Sequence, residues 1–529
     1  MKRTDITPEE IYKKSKQLGV ENSVRTLLEL AEIGKENSTR NQALQYIRSF
    51  EDIPESLKSE CFDTLEGIII SDKDIELKCE AATSLGKLKL EKGLEPLKWL
   101  LNEASLDQGA KKKILKAIHD CRFEKPEIEL FLSHLDSKYN AINDYVKNAL
   151  LNLSPEMAIH IFLDFLEQNI SDIARKEIIK LIGYEISGLN VSYNGNSYLK
   201  TKYPEILSNL VDKLDDIIDV LSILKESDKE LLDNLMIILN ELDDHANKKL
   251  IELLDTEDFI AKENAIRLIG KLEITEAADQ LLNTIDNVYS DVSIASIDAL
   301  GEIGDPSLIP QLLKALDIED TSFEYTDLSF KWNIIEAIKK IYLKDENVSY
   351  DFLIEKLHSS NEIIKESVAY LLGEIGQESF TEPLLETLKK WHNIDVAKSM
   401  VIALGKIGDL QASKRLLRII HDPQTYWLLK KITIDSLYNI FKKNWHYIDK
   451  EGTEEKRTLV KRRAELEEYL NNHPEENHKV KLAIIKLLQN FGDKNTISIL
   501  MKRLNDFHRI VRISAQNAIK KIEEKLENH

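Results

Sequence analysis

The side chains that most often perform catalysis or bind metals are few in this sequence and lack the spacing of a known site. The three cysteines, Cys61, Cys79 and Cys121, contain no C-x-x-C pair, and their wide spacing fits neither a disulfide framework nor a zinc site. The histidines are scattered, and the sequence lacks H-E-x-x-H, G-x-x-x-x-G-K-[ST], G-x-G-x-x-G and G-x-S-x-G. We therefore predict no catalytic residue, no metal site and no cofactor, and we expect that the protein is not an enzyme.

Charge is the chemistry that the sequence does concentrate. The formal net charge is −20, and residues 205–320 hold 28 Asp or Glu against 9 Lys or Arg. Such a surface attracts basic protein segments and repels a phosphate backbone, which predicts a protein or peptide partner of basic character and no nucleic acid. The alternative is that these acids only solvate a long helical protein. The candidate contact residues are Asp215, Asp216, Asp219, Asp243, Asp244, Glu257 and Asp258.

The C-terminal part of the chain has the opposite balance. Residues 440–529 hold 14 acids against 19 bases. A local basic patch is one interpretation of these bases, and a solvated helix face that also carries Glu465, Glu467 and Glu468 is the preferred alternative. The bases considered are Lys461, Arg462, Arg463, Lys502, Arg503, Arg509 and Arg512.

The elements that would position these residues are predicted to be helices. Only 18 Gly and 11 Pro occur in 529 residues, which leaves little room for the turns of a sheet-rich fold. A repeat is also visible: residues 297–306 read IDALGEIGDP, and similar stretches follow as VAYLLGEIGQ from Val368 and VIALGKIGD from Val401. Weaker copies begin at Ala82 and Ala265.

Each repeat unit predicts two antiparallel helices. In the clearest copy, apolar residues at helical spacing lead to Gly304, which suits the left-handed position after a helix. Asp305 can then cap the next segment, and Pro306 can occupy its first turn. Small residues such as Ala299 and Ala403 would let neighbouring helices approach closely. These are packing roles, and they predict an array of stacked helix pairs.

The repeated motif resembles that of the HEAT-repeat family, in particular the short phycobilisome-lyase-like form, A-x-x-A-L-G-x-I-G-D. The resemblance implies an all-α fold, an α-solenoid in which antiparallel helix pairs form a superhelical HEAT/ARM-like array. It also implies a scaffold or adaptor that holds a partner protein on its concave face, lined by the second helices. The alternatives within the family are a regulatory subunit, a lyase-like enzyme and a DNA-glycosylase-like enzyme. The His-Glu dipeptides of di-iron HEAT enzymes are missing here, since the corresponding positions include Cys79-Glu80 and Glu366-Ser367.

Breaks in the repeat divide the chain and mark places where function is often inserted. An Asn-Gly turn between Tyr193 and Tyr198 predicts a short hairpin or a connecting loop, and both tyrosines are candidate contact residues. The charged stretch 443–479 predicts an exposed helix. The predicted segments are divergent HEAT-like repeats (1–204), acidic central repeats (205–320), further repeats (321–442), the charged insertion (443–479) and a C-terminal repeat with its cap (480–529).

The location is predicted from what the sequence does not contain. No apolar stretch follows the basic residues of the first ten, so no secretory signal is visible. The longest apolar runs, such as Ile68-Ile69-Ile70, fall far short of the roughly 20 residues of a membrane-spanning helix. We expect a cytoplasmic protein in a reducing environment, with no membrane contact.

Overall fold

The computed structural model describes residues 7–191, 198–285, 290–316, 328–345, 348–390 and 393–527. These residues form helices and turns, and no strand occurs in the described ranges. The chain divides into two compact units, Met1–Ala265 and Ile266–His529. The helices are α-helices joined by short turns, several of which are 3₁₀ turns. The predicted all-α class is confirmed.

The described residues of the first unit form seventeen α-helices and the start of an eighteenth. They are α1 (Pro8–Lys13), α2 (Ser15–Leu18), α3 (Val20–Ile33), α4 (Asn37–Arg48), α5 (Glu55–Ser71), α6 (Ile75–Leu88), α7 (Leu94–Leu101), α8 (Gln108–Cys121), α9 (Lys125–Leu132), α10 (Asn140–Leu150), α11 (Pro155–Leu166), α12 (Asp172–Val191), α13 (Tyr198–Lys202), α14 (Pro204–Asp212), α15 (Leu214–Ile218), α16 (Lys229–Leu242), α17 (Asp244–Glu252) and α18 (Phe259–Lys271), which crosses the boundary between the units.

The second unit continues the same alternation of helices. They are α19 (Ala278–Thr284), α20 (Ser290–Ile303), α21 (Ile309–Lys314), α22 (Leu328–Lys344), α23 (Asp351–Lys356), α24 (Glu362–Ile375), α25 (Thr381–Leu388), α26 (Ile394–Ile407), α27 (Ser413–His421), α28 (Trp427–Asn444), α29 (Glu454–Asn472), α30 (His478–Phe491), α31 (Lys494–Arg503) and α32 (Arg509–Glu527). In the described ranges, none of the helices is both long enough and apolar enough to cross a bilayer.

Within each unit the helices stack in two layers. In the first unit, α4 packs on α6 and α6 on α8, while their partners α3, α5 and α7 pack on one another in the second layer. In the second unit, each even-numbered helix from α20 to α30 packs on the next even-numbered helix. In the second layer, α27 packs on α29 and α29 packs on α31. Helix pairs therefore bury their apolar sides on neighbouring pairs, which confirms the predicted α-solenoid.

At the first glycine of the motif, neighbouring helices approach closely enough that a Cβ would collide with the next helix. A Cβ placed on Gly270 would lie 2.7 Å from Cα of Ala299, and one on Gly373 would lie 2.6 Å from Cα of Ala403. The same contact occurs in the divergent first unit. A Cβ on Gly86, in α6, would lie 2.5 Å from the carbonyl oxygen of Ala117, in α8. The predicted role of the small alanines is confirmed, and each has a glycine of the preceding repeat as its partner.

The turn between the paired helices also forms as predicted. Gly304 has a φ of +77°, in the left-handed region, directly after α20. The carboxylate of Asp305 accepts a hydrogen bond of 2.8 Å from the backbone N–H of Ser307, and Pro306 opens the following 3₁₀ turn. Leu308, at the end of this turn, is buried, as are Ile309, Leu312 and Leu313 of α21. The sequence from Gly304 to Pro306 thus reverses the chain with its polar backbone groups satisfied.

The charged stretch 443–479 differs from the prediction. It contains a helix, α29, but this helix is an integral member of the second layer that packs on α27, α30 and α31. Leu466 and Tyr469 are buried, and Arg463 is buried between Glu467 and Asp493 with an additional hydrogen bond to the carbonyl of Phe491 (3.2 Å). The prediction of an exposed helix was wrong, because one side of α29 is apolar and buried, with Leu459 and Leu470 as further members, and Arg463 has a partner beyond the helix.

Two further predictions concern the way the chain is divided. The hairpin or loop around Tyr193 lies in residues 192–197, outside the described residues, while Tyr198 is the first residue of α13. The boundary between the two units falls inside the predicted acidic segment 205–320. The five predicted segments themselves stay a prediction.

Candidate protein-binding site

Five of the seven predicted acidic residues lie at one edge of the first unit. Asp215 and Asp216 belong to α15, Asp219 begins the 3₁₀ turn after it, and Glu257 and Asp258 directly precede α18. We call this set the acidic edge.

A pair of hydrogen bonds joins the two parts of the acidic edge. The side-chain amide of Asn264, on α18, donates to the carbonyl oxygens of Leu221 (2.9 Å) and Leu224 (3.3 Å). Asn264 is itself buried, so the contact is fixed by packing. Residues that are about 40 positions apart in sequence are thereby brought to the same side of the first unit.

The other two predicted acids, Asp243 and Asp244, do not join the acidic edge. They follow the C-terminal end of α16, whereas the chain that leads from Asp219 enters α16 at its N-terminal end. Helix α16 has 14 residues, and at 1.5 Å per residue it is about 20 Å long. Asp243 is also held in an ion pair of 2.5 Å with Lys200. The seven acids therefore form two separate groups.

The members of the acidic edge differ in how their charge is compensated. Asp215 lies 2.7 Å from the amine of Lys249. Asp258 caps α18, accepting hydrogen bonds from the backbone N–H groups of Ile260 (3.0 Å) and Ala261 (3.1 Å). Asp219 and Glu257 are exposed, and neither has an ion-pair partner among the residues that the structure describes.

Repulsion between these carboxylates affects Asp216. Partial burial raises the pKa of this carboxyl group, and the negative charge of Asp219 raises it further. Lys213 and Arg175 act in the opposite direction but do not cancel the increase. The negative charge of Asp219 thus acts on a carboxyl group that burial already disfavours as an anion, and an incoming cation would stabilise both acids.

A second group of acidic residues was not selected from the sequence. Helices α12 and α16 form a groove of about 390 Å³, lined in part by Tyr184, Glu230 and Asp233. The Tyr184 hydroxyl donates to Glu230, which also lies 3.3 Å from the amine of Lys180. Tyr184 and Glu230 are 46 residues apart, and no motif links them in the sequence. Only the packing of α12 on α16 brings them together.

Beside this groove, α12 carries a buried acid. The Glu185 side chain belongs to a residue that is 7% exposed, and its Oε1 has no hydrogen-bond partner within the described part of the chain. Burial raises the pKa of Glu185 to about 7. The Glu185 carboxyl group therefore gains or loses its proton near physiological pH.

The predicted basic residues near the C-terminus are mostly engaged within the protein. Arg462 lies 2.8 Å from Glu465, and Arg463 is paired as described above. Arg503 is buried, and Arg512 donates to the carbonyl oxygens of Asp506 (2.7 Å) and Phe507 (3.1 Å). These guanidinium groups hold turns and helices together and do not form an open patch.

The three cysteines are free and buried. Burial raises the pKa of both Cys61 and Cys79 to about 11, which leaves these thiols protonated and weakly nucleophilic near neutral pH. In the part of the chain that the structure describes, no three His, Cys, Asp or Glu residues are grouped so that they could hold a metal ion.

Comparison with known proteins agrees with the repeat architecture. The family model for HEAT repeats matches residues 247–326 and 350–437. No curated protein matches the sequence. Among solved structures, the karyopherin Kap121p bound to the SUMO protease Ulp1p is 14% identical, with 98% of this chain and 57% of that chain covered and a TM-score of 0.48. Kap95p, from a structure with RanGDP, is 10% identical, with 98% and 77% covered and a TM-score of 0.40.

The chain thus spans about 57% of the length of Kap121p. The two matched stretches include the clearest copies of the motif, those that end at Gly304, Gly376 and Gly408. These copies are also the ones in which the left-handed glycine follows the first helix of a pair. Residues 247–326 and 350–437 are thus detected as HEAT repeats, as the motif indicated.

Proposed function

We propose that this chain is a non-enzymatic interaction scaffold that binds a basic segment of a partner protein at the acidic edge. The observation that carries the proposal is the pair of exposed carboxylates, Asp219 and Glu257, which have no ion-pair partner among the described residues. Burial raises the pKa of the neighbouring Asp216 carboxyl group, and the negative charge of Asp219 raises it further. A lysine or arginine side chain that enters this edge would relieve that repulsion.

The helical array supports a scaffold because it presents long, ordered surfaces. Asp215 and Asp216 lie on α15, and Lys249 of α17 reaches Asp215, so this part of the edge belongs to the second-helix layer. The second helices are the ones predicted to line the concave face. The cytoplasmic location predicted from the sequence remains part of this proposal.

The strength of binding would come from several ion pairs acting together. A single exposed ion pair contributes about 0 to 1 kcal/mol, so one carboxylate alone would bind weakly. Exposed charges are also screened by salt, with a Debye length of about 8 Å at physiological ionic strength. We therefore expect that affinity for a basic peptide rises with the number of its Lys and Arg residues and falls steeply as salt is added.

The test uses a fluorescent Lys/Arg-rich peptide, with binding to the full chain measured by anisotropy. The double substitution Asp219→Lys and Glu257→Lys should weaken binding about tenfold or more. The matched control is Asp243→Lys with Asp244→Lys, which makes the same change in net charge at the far end of α16. The control should bind nearly as well as the unaltered protein.

Two results would contradict the proposal. Equal loss of affinity in both double variants would show that net charge alone, and not the acidic edge, attracts the peptide. Binding that does not change with salt would show that ion pairs are not its basis.

A further inference from the structure

The last helix pair that the structure describes exposes several large apolar side chains. Phe507, in the turn between α31 and α32, is 92% exposed, and Ile510, in the first turn of α32, is 55% exposed. Apolar residues occur here at every third position. They are Met501, Leu504, Phe507, Ile510 and Ile513, all of which are exposed, and we call them the C-terminal apolar surface.

This surface is separate from the side of α32 that packs on the rest of the second unit. Val511, Ala515 and Ile522 are buried, and α32 packs on α30 and α31. Helix α32 therefore has apolar residues on two sides, of which only one is used within the described structure. A group of large exposed apolar side chains on one helix pair indicates a binding surface.

The exposed charge of the last helix pair is positive between residues 494 and 521, although Arg503 is buried and Arg512 is bonded to backbone carbonyl oxygens. Residues 494–521 hold seven Lys or Arg and a single acid, Asp506. Asp506 is buried and lies 2.7 Å from the amine of Lys481, so it does not offset the exposed bases. Lys502 and Arg509 are exposed next to Met501 and Ile510 in sequence, and Lys494 and Lys520 are exposed elsewhere on α31 and α32.

We propose that the C-terminal apolar surface binds an amphipathic helix of a partner protein whose polar face is acidic. An amphipathic helix presents apolar residues at spacings of three and four, which suits these apolar side chains, and acidic neighbours would meet the exposed bases of the same helix pair. Phe507 is the anchor, since large exposed aromatic residues contribute most to such interfaces.

Charge also argues against a second copy of this chain as the occupant. Pairing of two identical C-terminal apolar surfaces would bring the same excess of bases together from both sides. Like charges at close range oppose such an interface. An acidic helix brings apolar contact and charge compensation at the same time.

The test uses a labelled synthetic helix with Leu at positions i, i+3, i+4 and i+7 and mostly Glu elsewhere, titrated with the full chain. A peptide of the same composition in scrambled order is the control for charge alone. The ordered peptide should bind at least about tenfold more tightly than the scrambled one. Phe507→Ala should remove most of this difference, and Leu526→Ala, at another exposed apolar residue of α32, should leave it unchanged.

Several outcomes would overturn the proposal. Equal binding of the ordered and scrambled peptides, no binding of either, or unchanged binding by Phe507→Ala would each exclude an amphipathic helix at this surface. Concentration-dependent sedimentation that Phe507→Ala abolishes would identify a second copy as the occupant instead. The outcome is independent of the acidic edge, because the Asp219→Lys and Glu257→Lys variant should still bind the acidic helix.

Discussion

The second unit joins its helices in two different ways. Between α24 and α26 the contact is made by small residues, with the position of a Gly373 Cβ only 2.6 Å from Cα of Ala403. From α28 onward, charged and polar groups are buried between neighbouring helices, as in the 2.7 Å pair of Lys481 and Asp506. The comparison teaches that loss of the motif does not interrupt the array. It changes the chemistry of the contacts between helices.

A cluster of polar groups shows how the later helices are joined. The amine of Lys430, on α28, donates to the Tyr469 hydroxyl of α29 (3.0 Å) and to Glu476 (3.1 Å). Burial raises the pKa of Tyr469, and its hydrogen bond to Glu476 raises it further. Buried charges are costly unless they are paired, so these contacts allow little change in the identity or position of their members.

The largest effect is expected for Lys481→Met, which keeps the length of the side chain and removes its charge. The Asp506 carboxylate would lose its closest cation while it remains buried. We expect a decrease in the free energy of unfolding of about 3 to 5 kcal/mol. Urea unfolding followed by circular dichroism would measure it. The paired replacement Lys481→Met with Asp506→Leu should recover much of the loss, and a double variant as unstable as the single one would contradict the role of the ion pair.

A buried carboxyl group with one oxygen unpartnered among the described residues should behave in the opposite way. The pKa of Glu185 is raised from 4.5 to about 7 by burial, so the folded protein keeps a proton that the unfolded chain has released. This group therefore destabilises the fold as pH rises through that interval. Glu185→Gln should increase the free energy of unfolding by up to about 3 kcal/mol at about pH 8, and by much less as pH falls toward 4.5.

The pH dependence of Glu185→Gln is checked by urea unfolding of both proteins over this range. Glu523→Gln removes an acid from an exposed position and serves as the control for net charge. A difference between Glu185→Gln and the unaltered protein that stays constant with pH would show that the carboxyl group ionises normally in the folded state.

The small-residue contact predicts an asymmetry between two helical glycines. Gly373→Ala would place a methyl group against Ala403 and should cost about 1 to 3 kcal/mol. Gly67, in α5, has open space where its Cβ would be, so Gly67→Ala should stabilise the protein by about 0.5 to 1 kcal/mol through better helix propensity. Thermal melting of both variants compares them. Equal changes would show that the Gly373 contact tolerates a methyl group.

The smallest effect concerns the left-handed turn. Gly376 has a φ of +76°, and its nearest neighbours beyond the adjacent residues lie 3.9 Å or more from the Cβ position. Gly376→Ala should therefore cost only the conformational strain, about 1 to 2 kcal/mol. Gly376→Asn should cost less, because asparagine adopts this conformation more readily. A larger loss for asparagine than for alanine in thermal melting would contradict this explanation.

The regular repeats could be predicted from the sequence because their contacts follow from local pattern. Apolar spacing, Gly304 and Asp305 together define a helix, its end and the next start. The burial of α29 could not be predicted, since Arg463 finds Asp493 about 30 residues further along the chain. A charged residue with a distant partner has the same local pattern as one that faces solvent.

The acidic residues illustrate the same limit for the candidate site. Asp219 and Asp243 belong to one acidic stretch of the sequence, but α16 separates them. Glu257 and Asp258 are more distant in sequence, yet Asn264 links their helix to the turn after Asp219. Composition identified the acidic block, and the direction of each helix decided which of its members lie together.

The separation in sequence between contacting helices has a consequence for how the protein is made. Arg48 pairs with Glu80, and Lys406 pairs with Glu374, each across 32 residues. A helix that leaves the ribosome therefore needs only about one more hairpin before its principal neighbour is available, and such short-range contacts form rapidly. The nascent polypeptide can bury its apolar surface step by step during translation, with little of it left for chaperones to cover.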